Sequence, residues 1–228
     1  MGRFLSVIGA GGKTTSLLSL AKAMPDQRVL LTTTTHILPV LPPVSREFLP
    51  DPDLKTLLKA LEIPGTVCAG TINSQGKLSQ LPPELLKEAA AAADLTICEA
   101  DGAHMLPLKL HREGEPVIPE YSDSCLILMG LSAIGQPVSQ AIHRFQRNPR
   151  WREYPEKITD VQDVLFCIQD ALKWIPARNQ VFVFLNQMDA LADKKEAEKI
   201  RNILRNEGIP CRAGSLQQHP EILKNWIL

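Results

Sequence analysis

Gly9, Ala10, Gly11 and Gly12 stand directly ahead of Lys13, Thr14 and Thr15, at the exit of the apolar run Arg3–Ile8. Glycines let a backbone wrap closely around an anion with several N–H groups turned inward. A lysine ammonium can reach phosphate oxygens, and a threonine hydroxyl can sit on Mg²⁺. The full phosphate-loop pattern, G-x-x-x-x-G-K-[ST], needs a glycine where this chain has Val7, so the stretch reads as a shortened form. A ligand-free glycine turn would have the same composition. The order strand, glycine turn, helix favours the phosphate reading, because the helix start adds its positive end to the site. Lys13 follows the turn and is expected outside the core.

Further along, the run Leu95–Cys98 passes into Glu99, Ala100, Asp101 and Gly102. Mg²⁺ takes hard oxygen ligands, and an apolar strand ending in carboxylates is how a Walker-B segment supplies them. Residues 99 and 101 point the same way on a strand, so Glu99 and Asp101 can address one ion together with Thr14. Their spacing leaves open which acid takes the metal and which orients water. Thr32–Thr35 and His36 close another apolar run. β-propensity accounts for threonines, but at a strand's C-terminal end Thr35 and His36 can also meet Mg²⁺, its waters, the γ-phosphate or substrate. A final run, Val181–Leu185, ends in Asn186, Gln187, Met188 and Asp189. That N-x-x-D matches the guanine-reading N-K-x-D except at Gln187, and Arg212–Leu216 falls where a second base-contacting loop would be. An Asn/Asp turn opening the next helix is the alternative, so ATP and GTP both stay open as the bound nucleotide.

These residues need a scaffold that delivers them to one place. The runs Arg3–Ile8, Arg28–Thr32, Asp94–Cys98, Cys125–Met129 and Val181–Leu185 are continuous and apolar, as strands buried on both faces are. Helical patterns separate them: Lys13–Met24, Pro82–Ala93 with prolines at its start, Asp160–Ile175, and Asp193–Gly208 closing on a glycine cap. Strands alternating with helices make βαβ units, hence a parallel sheet with helices on both faces. In such a sheet the strand ends share one rim, where ligands of open α/β folds bind. All of the candidate motifs above begin at a strand end. We expect one three-layer α/β domain of the P-loop NTPase kind over residues 1–228, with insertions near 37–53, 66–81 and 130–158. The first insertion is a proline-rich excursion and the second a hairpin turning near Ser74–Gly76. The third carries Arg144, Arg147, Arg150, Arg152 and Trp151, read either as a phosphate-recognising segment or as a solvated basic loop.

Formal net charge is zero and hydrophobic residues make up 44%, which favours a globular core and gives no reason to expect nucleic acid or a membrane as partner. No signal-peptide pattern opens the chain, so a cytoplasmic location is the default. The five cysteines form no C-x-x-C pair and read as small buried hydrophobes.

Taken together, "GAGGKTT", "LLTTTTHI", "EADGA" with "LPLK", and "EPVIP" resemble the selenium-dependent hydroxylase accessory proteins, the YqeC type, over roughly residues 5 to 190. The resemblance implies a P-loop NTPase fold and a part in maturing selenium-dependent molybdenum hydroxylases. It implies as partners a molybdenum hydroxylase or its cofactor-assembly proteins, beside the nucleoside triphosphate. It places Lys13, Thr14, Thr35, His36, Glu99 and Asp101 around the nucleotide, and makes Lys109 and Glu115, within Leu106–Pro119, substrate-side residues. The expected activity is a slow Mg²⁺-dependent NTPase, with Lys13, Glu99 and Asp101 as its catalytic groups. A kinase or ligase passing the γ-phosphoryl to a small acceptor, and a nucleotide-gated binding partner without turnover, are the alternatives.

Overall fold

A computed structural model describes residues 2–227 of the chain. It is a three-layer α/β fold built on a ten-stranded, mainly parallel sheet. The strands are β1 (Arg3–Gly9), β2 (Arg28–Thr33), β3 (His36–Ile37), β4 (Glu47–Pro50), β5 (Gly65–Ile72), β6 (Leu78–Ser79) and β7 (Leu95–Glu99). They continue with β8 (Leu108–Lys109), β9 (Ser124–Gly130), β10 (Ile142–His143), β11 (Gln180–Asn186) and β12 (Cys211–Ala213), of which β8 and β10 form a separate pair. The main sheet runs β12-β11-β9-β1-β7-β2-β5, with β4 parallel along the outer side of β5. β1 is buried at every residue but Arg3, as a strand covered on both faces must be.

Alternate residues of each strand feed opposite layers. Leu5, Val7, Leu126, Leu128 and Phe184 pack beneath α1 (Lys13–Ala23), through Leu17, Leu20 and Ala21, and beneath the C-terminal Leu223 and Ile227. Phe4, Leu30 and Cys98 face α2 (Leu54–Ala60) and α3 (Pro83–Ala92) on the other side. Ile8, Ile127 and Val183 share that second face and pack against α4 (Val138–Ala141), α5 (Pro149–Glu153), α6 (Val161–Leu172) and α7 (Lys195–Asn206) through Val138, Trp151, Val164 and Ile200. α6 is started by a reciprocal capping box between Asp160 and Asp163. α7 is stopped at Gly208, whose φ of 76° lets the Ile209 N–H turn back to the Leu204 carbonyl.

The hairpin expected near Ser74–Gly76 is present, with β5 and β6 antiparallel across a turn at Asn73–Lys77; what is corrected is its reading as an insertion, because β5 is a full strand of the main sheet, paired from Gly65 to Cys68 with β2. The proline-rich excursion likewise contributes β4 on that edge. Among the described residues no helix is long and apolar enough to cross a membrane.

Candidate functional site

The C-terminal ends of β1, β7, β9 and β11 lie side by side: Val7 is in register with Glu99, Gly9 with Leu128, and Asn186 with Gly130. Between β1 and α1 the chain makes its glycine turn. Gly9 has φ 93°, and a Cβ there would lie 2.2 Å from the Leu128 carbonyl oxygen. Gly12 has φ 128°, and a Cβ would meet the Asn186 Nδ2 at 2.3 Å. Only glycine fits both the backbone angle and the space. The turn is fixed from outside. Gly9 N–H donates to Asp101 Oδ2 (2.8 Å), Ala10 N–H to the Leu128 carbonyl (2.8 Å) and Gly11 N–H to the Leu106 carbonyl (3.2 Å). Asn186 Nδ2 donates to the Gly11 carbonyl (2.8 Å) while its Oδ1 accepts from Leu216 N–H (2.9 Å).

α1 opens without a side-chain cap and without an acidic residue in its first turn, and its first residue is a lysine. A cation at a helix's positive end is locally unfavourable. Such a start becomes favourable when an anion sits on it. Thr14 is exposed there and Thr15 half-buried.

Lys13 is not outside the core. It is 5% exposed, and its Nζ donates to the Gly9 carbonyl (2.6 Å) and lies 3.1 Å from Asp101 Oδ1 and 3.8 Å from Glu99 Oε1. Tethering to the turn it follows, together with two buried carboxylates, draws the ammonium inward. Lys109, expected on the substrate side, is wholly buried behind the turn instead. Its ammonium meets the Gly102 carbonyl (2.6 Å), Asp101 Oδ2 (3.0 Å) and Glu115 Oε1 (3.1 Å), which uses all of its protons. Glu115 also pairs with Arg144 and accepts from Gly102 N–H, so this member of the basic segment is committed to an ion pair. Trp151 is buried, donating Nε1–H to Asp163 (3.1 Å).

The two candidate acids have different surroundings. Burial alone would raise the pKa of Asp101, but Lys13, the hydrogen bond from His111 and Lys109 outweigh it and hold the carboxyl well below its ordinary range. Its Oδ2 is surrounded by Gly9 N–H, Lys109 and His111 Nε2 (2.9 Å). Glu99 is pushed up to about 7, first by burial and then by Asp101, against the pull of Lys13. Its Oε2 is buried with no hydrogen-bond partner. Beside it, Thr33 Oγ1 and Thr34 N–H donate to the Glu99 carbonyl. Thr35, half-buried, is tied back to Thr33, and His36 is exposed on β3. Asp189 is exposed in the short turn after β11, behind Gln187 at φ 62°.

The raised Glu99 has a consequence for stability. A carboxyl whose folded pKa lies above its ordinary 4.5 adds stability that is complete below that value and lost as pH rises through about 7. Glu99→Gln should therefore gain on wild type, by on the order of 3 kcal/mol, between pH 5 and pH 8. Denaturant midpoints at both pH values check this; parallel pH profiles for the two proteins would contradict a Glu99 whose burial outweighs the pull of Lys13.

The sequence model of the family described as YqeC protein matches residues 5–146, the span that holds the glycine turn, Lys13, Glu99, Asp101 and Lys109. The chain belongs to the YqeC family. A relative from Escherichia coli (strain K12), described as uncharacterized protein YqeC, is 28% identical over 240 residues, covering 98% of this chain and 91% of its own length. YqeC similarity therefore extends past the matched span into β11 and Asn186, which complete the turn.

The residues that sequence reading missed are His111 and Asp170. Both belong to the polar cluster behind the turn, and neither carries a local spacing signal, since they meet across 59 positions of chain.

Proposed function

We propose that this protein binds a nucleoside triphosphate with Mg²⁺ at the Gly9–Thr15 turn and hydrolyses it slowly. The observation that carries the reading is the uncapped, lysine-headed start of α1, set behind positive-φ glycines, with its lysine 3.8 Å from a buried carboxylate whose other oxygen has no hydrogen-bond partner. Each of these is locally costly, and together they make chemical sense around a phosphate chain with its metal.

The residues present fit magnesium. Thr14 is exposed at the turn and Glu99 Oε2 has no hydrogen-bond partner, whereas Asp101 has Oδ2 filled by donors and Oδ1, though not hydrogen-bonded, 3.1 Å from the Lys13 ammonium. Among the described residues no group of three or more His, Cys, Asp or Glu could hold a metal unaided. That suits Mg²⁺, which is commonly held by one or two protein oxygens together with substrate phosphates. When bound, the ion supplies charge neutralisation on the phosphate oxygens. Lys13 and the first amides of α1 would bind and orient the phosphates. Glu99, ionising near neutrality, would orient an attacking water or reach the metal, and Asp101 would keep Lys13 and the turn in place.

Titration with Mg–ATP and Mg–GTP, followed by phosphate release with and without a small acceptor, tests the reading. Millimolar or weaker binding of both nucleotides would overturn it; acceptor-dependent diphosphate formation would turn it to the kinase or ligase alternative. A role in maturing a selenium-dependent molybdenum hydroxylase rests on the motif resemblance. Nucleotide-dependent association with the cognate hydroxylase is its measurement.

For the base, Asp189 can accept from guanine N1–H and N2–H₂, while Gln187, with its Oε1 taking the Ser132 hydroxyl (2.7 Å), offers no charged lid. We expect a GTP preference of about tenfold or less, lost in Asp189→Asn. Equal affinities in wild type, unchanged by the substitution, would show that the N-x-x-D stretch is only a turn.

A further inference from the structure

His111 is wholly buried between two carboxylates from different parts of the chain. Its Nε2 lies 2.9 Å from Asp101 Oδ2, and its Nδ1 lies 3.2 Å from Asp170 Oδ2. The same Asp170 oxygen accepts from the His111 backbone N–H at 2.7 Å, so one carboxylate on α6 grips both ring and backbone. Asp101 Oδ2 in turn accepts from Gly9 N–H, and Asp101 Oδ1 faces Lys13.

We infer that His111 and Asp170 are positioning residues of the phosphate turn, a chain Asp170–His111–Asp101 that fixes the Gly9 amide and the Lys13 ammonium before any ligand arrives. This rests on the nucleotide reading of the turn and deepens it. The case is geometric. A carboxylate free to rotate could turn an oxygen toward a metal or leave Lys13 with the Gly9 carbonyl and the more distant Glu99 Oε1 only. With Oδ2 held by the ring, Lys109 and Gly9 N–H, Asp101 keeps one orientation. Preorganised dipoles and charges of this kind cost no rearrangement at binding. The anchor also ties the turn to α6, which lies in the layer across the sheet from α1. Burying a histidine between carboxylates is a poor way to gain stability, since apolar residues of similar volume often serve as well or better. Placing this arrangement directly behind the turn is explained by what it orients.

The test uses the full chain as His111→Leu with Asp170→Leu, which removes the ring and the carboxylate that grips it together, and as Asp170→Asn, which keeps an acceptor for the ring. The amide signal of Gly9, its shift and its exchange protection, is followed by NMR beside the thermal midpoint and Mg–nucleotide titrations. The expected result is a displaced, faster-exchanging Gly9 amide and affinity lower by about tenfold or more in the double variant. Its midpoint should fall, since Asp170 also accepts the His111 backbone N–H, and Asp170→Asn, which can keep that bond, should lie between the double variant and wild type in all three readouts. A Gly9 amide and affinity both unchanged in either folded variant would overturn the inference. If wild type binds no nucleotide, the reading in the previous subsection fails, and the Gly9 amide alone still decides the positioning role.

Discussion

Asn in place of Asp101 is expected to remove about 3–5 kcal/mol of folding stability, the range for breaking a buried charge pair from one side. The carboxylate is 0% exposed and lies within hydrogen-bonding distance of Gly9 N–H, Lys109 and His111, with Lys13 beside its other oxygen. An asparagine oxygen can accept one or two of those donors, but the amide nitrogen then faces a cation or an N–H. Lys109, wholly buried, keeps only Glu115 as counter-charge. The sign with pH follows from the depressed carboxyl. Its contribution is present at and above the ordinary 3.8 and disappears only as the pH falls through the lowered folded value. The loss in Asp101→Asn should therefore be full at pH 5 and at pH 8 alike. Chemical denaturation at the two pH values measures it. A variant within 1 kcal/mol of wild type would mean that Asp101 is not the hub of this cluster.

Lys13→Met should leave a better-folded protein than Asp101→Asn and a poorer ligand site. Methionine keeps most of the apolar stem in its buried place and deletes the ammonium. Asp101 retains Lys109 and His111, and Glu99, already raised to about 7, can take up a proton. A charge-assisted contact to phosphate is worth about 1.5–3 kcal/mol, so triphosphate affinity should fall by roughly 10- to 100-fold. Calorimetric titration of ATP and GTP checks this, with inorganic phosphate as a weak-ligand control. Unchanged affinity for both nucleotides in a folded Lys13→Met protein would remove the turn from consideration as a phosphate site.

The parallel sheet was legible because its central strands are unbroken apolar runs, and such runs have few other homes in a chain without long apolar helices. β5 was harder to see as a sheet strand. Thr66, Gly70 and Thr71 interrupt its pattern, and the turn after it advertises a hairpin more loudly than the strand itself. β12 is only Cys211–Ala213, too short to carry a period. At the site, the glycine turn, Lys13, Glu99 and Asp101 announced themselves because their chemistry depends on neighbours in sequence. Lys109, placed on the substrate side through the motif resemblance, is buried because the fold supplies Gly102, Asp101 and Glu115 around its ammonium, and each of those partners lies six or more positions away in sequence. His111 and Asp170 gave no sign, since nothing but the packing of α6 against β8 brings them together.

The side-chain amide of Asn186 has a single way round. Its nitrogen faces the Gly11 carbonyl and its oxygen the Leu216 N–H, and a half-turn of the amide would set like against like at both ends. Leu216 belongs to the segment after β12, at one margin of the sheet, while Gly11 lies at its centre. One side chain therefore bridges the margin of the sheet to the turn at its centre, and losing it would leave both the Gly11 carbonyl and the Leu216 N–H without that partner.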